Sequence, residues 1–320
     1  MNTQVTLGID IGGTNTAYGF VDKEGNLLAE GNIFTTKYAD INDYLRDLYL
    51  NTEKTFDTIR DKAEIIGIGI GAPNANYHSG TIENAVNIGW AGTIPLCDLV
   101  REYYPNIPVF LTNDANAATI GEMVYGGAKG MKDFVMITLG TGVGSGFVSN
   151  GKMIYGHDGF AGEIGHVIVA PHGRQCACGR FGCLETYASA TGVKRSAYKM
   201  MAKYNYPSEL RSVPFDDMTS KLICDTAKKG DLIAINTFKY TAKILGEALA
   251  NMVTITSPEV IFVMGGLAKA GDLLLQPVRE HMELNLLSCY RNKIKILPSQ
   301  LNGNVAILGA AALAWDEISK

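Results

Sequence analysis

Between Glu163 and Glu185 the chain reads EIGHVIVAPHGRQCACGRFGCLE, which sets Cys176, Cys178 and Cys183 close to two histidines, His166 and His172. Three thiolates and one imidazole form a Cys₃His donor set. That set suits tetrahedral zinc and leaves no position for water or substrate, so the centre it implies is structural. The redox alternative is poor, because C-x-C is not the C-x-x-C of thioredoxin-like dithiols. Closing such a site contributes about 10 kcal/mol or more of ordering free energy in small zinc domains. That is enough to hold a glycine-rich loop in one geometry. His166 gives the spacing H-x9-C-x-C-x4-C, while His172, in Pro171-His172-Gly173, looks like a loop tip and competes for the fourth position.

Two further stretches carry groups suited to phosphate chemistry. Asp10 stands inside an apolar run directly before Gly12-Gly13-Thr14. A buried carboxylate is costly unless a cation or several donors meet it, although a turn-initiating Asp is the plainer alternative. The run Leu139-Gly140-Thr141-Gly142-Val143-Gly144-Ser145-Gly146 exposes successive backbone N–H groups able to cradle phosphate oxygens. Neither stretch fits GxxxxGK[ST], and Ser145 breaks GxGxxG. Gly265-Gly266 closes a third apolar strand, and Asn113-Asp114 marks a strand-to-helix junction. An Asp there is ordinarily an N-cap, or else a base for a hydroxyl attacking phosphorus.

The elements that must position these groups are legible in outline. VTLGIDIGGTNTAYGFVDKEGNLLAEGN reads as three strands of a β-meander. Residues 40–62 place Ile41, Leu45, Leu48, Phe56 and Ile59 at roughly helical spacing, predicting an amphipathic helix. IIGIGIGAPN reads as a strand, and PVFLTNDANAATIGEM as strand, polar elbow and helix. The layout of the opening recurs at 134–154, FVMITLGTGVGSGFVSNGKMI, which suggests two related α/β domains facing one another. NTFKYTAKILGEALANMVTIT predicts a long helix and GNVAILGAAALAW a closing one. The expected division is 1–112 with about 306–320, the final helix returning to the first half, and 113–305.

Composition narrows the function. With 320 residues, 47% of them apolar, and a net charge of −4 without a basic run, nothing predicts nucleic acid or anionic lipid as partner. The start lacks a basic leader, and no stretch approaches the ~20 apolar residues of a membrane span. The expectation is a soluble, cytoplasmic protein. Cys97, Cys224 and Cys289 sit singly in apolar contexts, as reduced core cysteines do.

DIGGT at 10–14, GAPN at 71–74, ND at 113–114, LGTGVGSG at 139–146, AGEIGH at 161–166 and CxCGxxGCLE at 176–185 follow in order along nearly the whole chain. Together they resemble the ROK family of sugar kinases and repressors. The resemblance implies the actin-like ATPase (ribonuclease H-like) fold, two related α/β domains with a cleft between them. It implies that Asp10, Gly12, Gly13 and Thr14 form a first phosphate turn, with Asp10 helping to hold Mg²⁺. Thr141 and Gly142 then belong to a second turn for ATP, and Gly265 and Gly266 border the adenosine. Asp114 becomes the catalytic base, and Asn113, Asp114, Glu163, His166 and Glu185 bind the sugar. Asn87 is a softer candidate, and Trp90 beside it is as readily a core residue as a sugar platform. The family pattern favours His166 over His172 as the zinc ligand. Many members have Lys directly after GGT; Asn15 stands here instead, which removes one cation near the phosphates.

The activity implied is transfer of the γ-phosphate of ATP to the 6-hydroxyl of a hexose, glucose being the commonest substrate. Kinases for N-acetylmannosamine, N-acetylglucosamine, mannose, fructose and allose share the same motifs, and a homodimer is common. ROK repressors carry a winged-helix segment ahead of the DxGGT turn; with that turn at residue 10 and no basic patch, the repressor alternative is disfavoured.

Overall fold

The computed structural model describes residues 2–85, 88–301 and 303–320. They form two compact units, Met1–Met131 with Met153–Ala161 and Gln300–Lys320, and Lys132–Lys152 with Gly162–Ser299.

In the first unit the expected meander is present as β1 (Thr3–Ile11), β2 (Asn15–Asp22) and β3 (Leu27–Phe34). Helix α1 (Ile41–Phe56) follows, then β4 (Ala63–Gly71) and three short strands, β5 (Ala75–Asn76), β6 (Thr81–Glu83) and β7 (Thr93–Ile94). Helix α2 (Leu96–Tyr103), β8 (Val109–Thr112) and α3 (Asp114–Tyr125) complete this stretch, and α9 (Val305–Ile318) returns from the C-terminus. The main sheet runs β3-β2-β1-β4-β8, with β1 antiparallel to β2 and parallel to β4.

Helix α1 ends at Phe56 instead of continuing to residue 62. Thr55 and Thr58 direct their hydroxyls to the carbonyls of Asn51 and Thr55. The Thr55 bond is the kind Thr52 makes to Leu48 inside the same helix, so the end lies in the backbone, which past Phe56 changes to three-residue turns, the Thr58 and Ile59 N–H groups donating to the Thr55 and Phe56 carbonyls. Ile59 still packs on the core, but from the turn that follows.

Glycines on the sheet explain why α9 belongs here. A Cβ on Gly69 would fall 1.9 Å from the Ala310 carbonyl oxygen, and one on Gly8 2.4 Å from that of Ile307. The small-residue helix therefore lies directly on β1 and β4, buried from Ile307 to Trp315. Its Gly309 meets α3 just as closely, a Cβ there falling 2.6 Å from the Ala117 carbonyl oxygen. That packing puts α3 with the first unit, whereas the division expected at residue 112 assigned it to the second. Residues 153–161 also lie in the first unit, where Tyr155 stacks on Tyr77 with ring centroids 3.8 Å apart.

The second unit repeats the plan. Strands β9 (Phe134–Leu139), β10 (Val143–Ser149) and β11 (Lys152–Met153) form the second meander. Helices α4 (Glu185–Ala188), α5 (Ala190–Lys203), α6 (Ser220–Lys228) and the long α7 (Leu232–Thr256) precede β12 (Val260–Met264), α8 (Asp272–Asn285) and β13 (Lys295–Pro298). The sheet order β11-β10-β9-β12-β13 matches that of the first unit, with β12 parallel to both β9 and β13. The turns at 12–14 and 140–142 thus occupy equivalent hairpin positions. Of the three single cysteines, Cys97 and Cys224 are buried, but Cys289 is exposed. It sits in the turns after α8, where no sheet or helix face covers it.

Candidate active site and metal centre

The first unit assembles a carboxylate pair. Asp10 is the penultimate residue of β1, and Gly71, its register partner, ends β4. A Cβ on Gly71 would lie 3.7 Å from Asp10 Oδ1 and 3.9 Å from Asp114 Cα, so this glycine separates the two acids. Burial, reinforced by the nearby charge of Asp114, pushes the Asp10 carboxyl up to about 6. Among the described residues no side chain donates to Asp10 or pairs with it. A half-buried acid beside a second acid, without a protein cation, is the electrostatic situation that a divalent metal relieves.

Asp114 is the first residue of α3, and the cap is its neighbour: Asn113 Oδ1 accepts the Asn116 N–H at 2.7 Å. The plain reading of Asp114 as an N-cap therefore gives way. Its Oδ1 accepts the Ala115 N–H at 2.9 Å. Desolvation raises its pKa against that bond, although the residue's outer face meets solvent. The hairpin turn before β2 is closed by Gly12 N–H donating to the Asn15 carbonyl at 2.9 Å, and Thr14 is exposed at its tip. Trp90 is a core residue: it is 5% exposed, its ring lies 4.5 Å from that of Tyr44, and its Nε1–H donates to the Tyr38 carbonyl. Asn87 lies outside the described residues.

In the second unit the glycine turn is tied down from several sides. The Gly140 carbonyl accepts the Ala190 N–H at the start of α5, at 2.9 Å, and the Thr141 carbonyl accepts from the Thr191 hydroxyl. Glu185, heading α4, accepts the Val143 N–H through Oε2 at 3.1 Å. A Cβ on Gly142 would fall 2.3 Å from that same oxygen, which is why no side chain stands there. Gly265, in the left-handed region at φ +100, presses on the end of β9: a Cβ there would meet the Leu139 carbonyl oxygen at 2.4 Å. The Gly265-Gly266 turn and the 140–142 turn consequently share the β9 terminus.

His166, Cys176, Cys178 and Cys183 converge, their ligand atoms all within 4.8 Å of one another. His166 Nδ1 is 3.7 Å from Cys176 Sγ, and the Sγ atoms of Cys178 and Cys183 are 3.7 Å apart. A tetrahedral zinc with Zn–S near 2.3 Å has S···S edges of about 3.8 Å, so the donor set fits that ion. His172 stays out of the cluster, at φ +60 on the loop tip. The loop itself is a narrow hairpin bridged at Ile168–Cys183 and Gln175–Phe181. Glu185 Oε1 approaches Cys176 Sγ to 3.8 Å, linking the cluster to the glycine turn. Glu163, exposed, is the centre of an inverse γ-turn, with φ −77, ψ 56 and the Ile164 N–H donating to the Gly162 carbonyl at 2.9 Å.

The roles of two positions are not legible in the sequence. Gly71 was visible as the end of an apolar strand and the first residue of GAPN, but not as the spacer between two acids. Ser145 stood out only as a break in a motif, though a polar residue on the inward face of an alternating strand is itself a signal.

Paired five-stranded units with glycine turns at equivalent hairpins, an acid pair and a Cys₃His loop define the class, and similarity agrees. The ROK family model matches residues 6–317, and the chain belongs to that family. It is 36% identical to a glucokinase of Halalkalibacterium halodurans, covering 98% of this chain and 96% of the relative. It is 31% identical to a glucokinase of Thermotoga maritima, covering 98% of each. Among solved structures, a ROK family glucokinase from Streptomyces griseus in complex with glucose and AMPPNP superposes with a TM-score of 0.79. That chain is 33% identical, with 98% of this chain and 99% of the other covered.

Proposed function

We propose that this chain is an ATP:hexose 6-phosphotransferase whose substrate is glucose. The observation that carries the proposal is the unpaired acid couple, Asp10 and Asp114, on either side of Gly71. The similarity to glucokinases along both chains supports glucose as the sugar.

Asp114 accepts the proton of the 6-hydroxyl while that oxygen attacks the γ-phosphorus, and the bond to the β-phosphate oxygen breaks to release ADP. A raised pKa makes it a better proton acceptor than an ordinary carboxylate. Asp10 holds Mg²⁺, which when bound neutralises phosphate charge. Gly12, Gly13 and Thr14, and Thr141 and Gly142, offer donors to phosphate oxygens; Gly265 and Gly266 flank the nucleoside.

Sugar hydroxyls are taken by Asn113, Glu163, His166 and Glu185. Asn113 can offer its Nδ2 amide and the second lone pair of Oδ1, the first being taken up in capping α3. His166 directs Nδ1 toward the cysteines, leaving Nε2 for the sugar. Zinc bound by His166, Cys176, Cys178 and Cys183 supplies rigidity to this loop and takes no part in the transfer.

A coupled ADP-release assay over glucose, mannose, fructose, allose, N-acetylglucosamine and N-acetylmannosamine tests the proposal, with Asp114→Asn as blank. Glucose is expected to give the highest kcat/KM. If no sugar raises ADP release above the blank, the kinase assignment falls; preference for an acetylated sugar reassigns the substrate.

A further inference from the structure

Ser145 lies on β10, 3% exposed, on the strand face it shares with Val143 and Phe147. A serine in that position needs partners for its hydroxyl, since an unsatisfied buried hydroxyl is costly. It has two, both on the segment that carries Glu163. The Oγ–H donates to the Gly162 carbonyl, and Oγ accepts the Ile164 N–H at 3.3 Å. These are the two residues flanking Glu163, so one hydroxyl grips both ends of the γ-turn at whose centre the acid sits.

The same segment is pressed onto β10 a second time. A Cβ on Gly165 would lie 2.1 Å from the Val143 carbonyl oxygen, and the His166 N–H donates to the Glu163 carbonyl at 3.0 Å. Gly162 has φ +100, so the turn enters Glu163 from a conformation with little intrinsic preference to hold it there. The backbone on both sides of Glu163 is therefore referenced to the strand leaving the 140–142 turn. The Ser145 hydroxyl is the only side chain among the described residues that bonds both ends.

We infer that Ser145 is a positioning residue for sugar recognition: its hydroxyl sets the direction of the Glu163 carboxylate, and it acts through Glu163 without touching substrate. This inference rests on the hexose kinase assignment above. Removing one buried hydrogen-bonding hydroxyl is worth about 1 kcal/mol, so Ser145→Ala should raise the glucose KM roughly fivefold to tenfold. The KM for ATP should stay within about twofold, and zinc per chain should not change.

The test is a double-mutant cycle in the full chain with Ser145→Ala, Glu163→Gln and the combination, reading glucose KM, ATP KM and zinc content. The expected result is that Ser145→Ala costs little further once Glu163 is Gln, and that Ser145→Thr, which keeps the hydroxyl, recovers glucose KM. Additive effects, equal damage to both KM values, or zinc loss on Ser145→Ala would overturn the inference and leave Ser145 a plain core contact. Should the unmodified chain phosphorylate no hexose, it is the kinase assignment that fails, and a glucose titration by calorimetry still reads the cycle as binding constants; absence of glucose binding by the unmodified chain would then overturn the inference as well.

Discussion

Glu185 accepts the backbone N–H of Val143 at 3.1 Å, and its other carboxylate oxygen lies 3.8 Å from Cys176 Sγ. One side chain thus spans the glycine turn and the cysteine cluster of the second unit. The turn, the metal-type loop and an expected sugar ligand are a single mechanical assembly, and a change in any one of them should be felt by the others.

Gly142 is where that assembly is tightest. Gly142→Ala would place a methyl group on the Glu185 carboxylate, but the clash is with the end of a flexible side chain and the backbone there is unstrained. The variant should fold, with a stability loss of about 1–2 kcal/mol by urea denaturation. The glucose KM and kcat should both worsen as Glu185 swings off the Val143 N–H.

Asp114→Asn removes the proposed base while preserving shape. Replacement should lower kcat by about 10²–10⁴-fold with little change in glucose KM. Steady-state kinetics with the ADP-coupled assay checks this.

Asp10 carries a stability signature. Its folded pKa, about 6, lies above the ordinary value of 3.8. Its contribution is therefore fully present below the unfolded pKa and is lost as pH rises through about 6. Without metal, Asp10→Asn should be roughly 3 kcal/mol more stable than the parent at about pH 7.5 and should flatten the loss between about pH 4 and 6. The same variant should lack activity, and millimolar Mg²⁺ should stabilise the parent alone. Urea midpoints at several pH values decide the matter.

The cysteine cluster should carry one zinc per chain by elemental analysis. His166→Ala should lose zinc and raise the glucose KM together if, as proposed, one imidazole serves both. His172→Ala should do neither. Full zinc content in His166→Ala would reassign the fourth ligand.

Much of this was legible because local chemistry forces it. The Gly12-Gly13 turn, the strand ending at Gly71 and the Cys-x-Cys spacing are constraints that act over a few residues. The recurrence at 134–154 announced a duplication that the two sheet orders bear out. The helix over 40–62 was overextended, since past Phe56 the backbone changes to three-residue turns at Thr58 and Ile59 while the apolar periodicity runs on. Trp90 and Cys289 could not be placed from composition, because burial depends on what packs above a residue.

By itself the sequence determined the repeated strand–turn–strand plan, the donor types and the family to which they belong. Tertiary structure alone decided which acids meet, and it brought to the cysteines His166, the histidine that the family pattern favoured. It also decided that Asn113 rather than Asp114 caps α3, and that Ser145 holds both ends of the turn bearing Glu163. The physical reason is range. Turn and strand preferences are set by neighbours in the chain, whereas a carboxylate pair or a four-donor cluster exists only when segments many residues apart are packed to within a few ångströms.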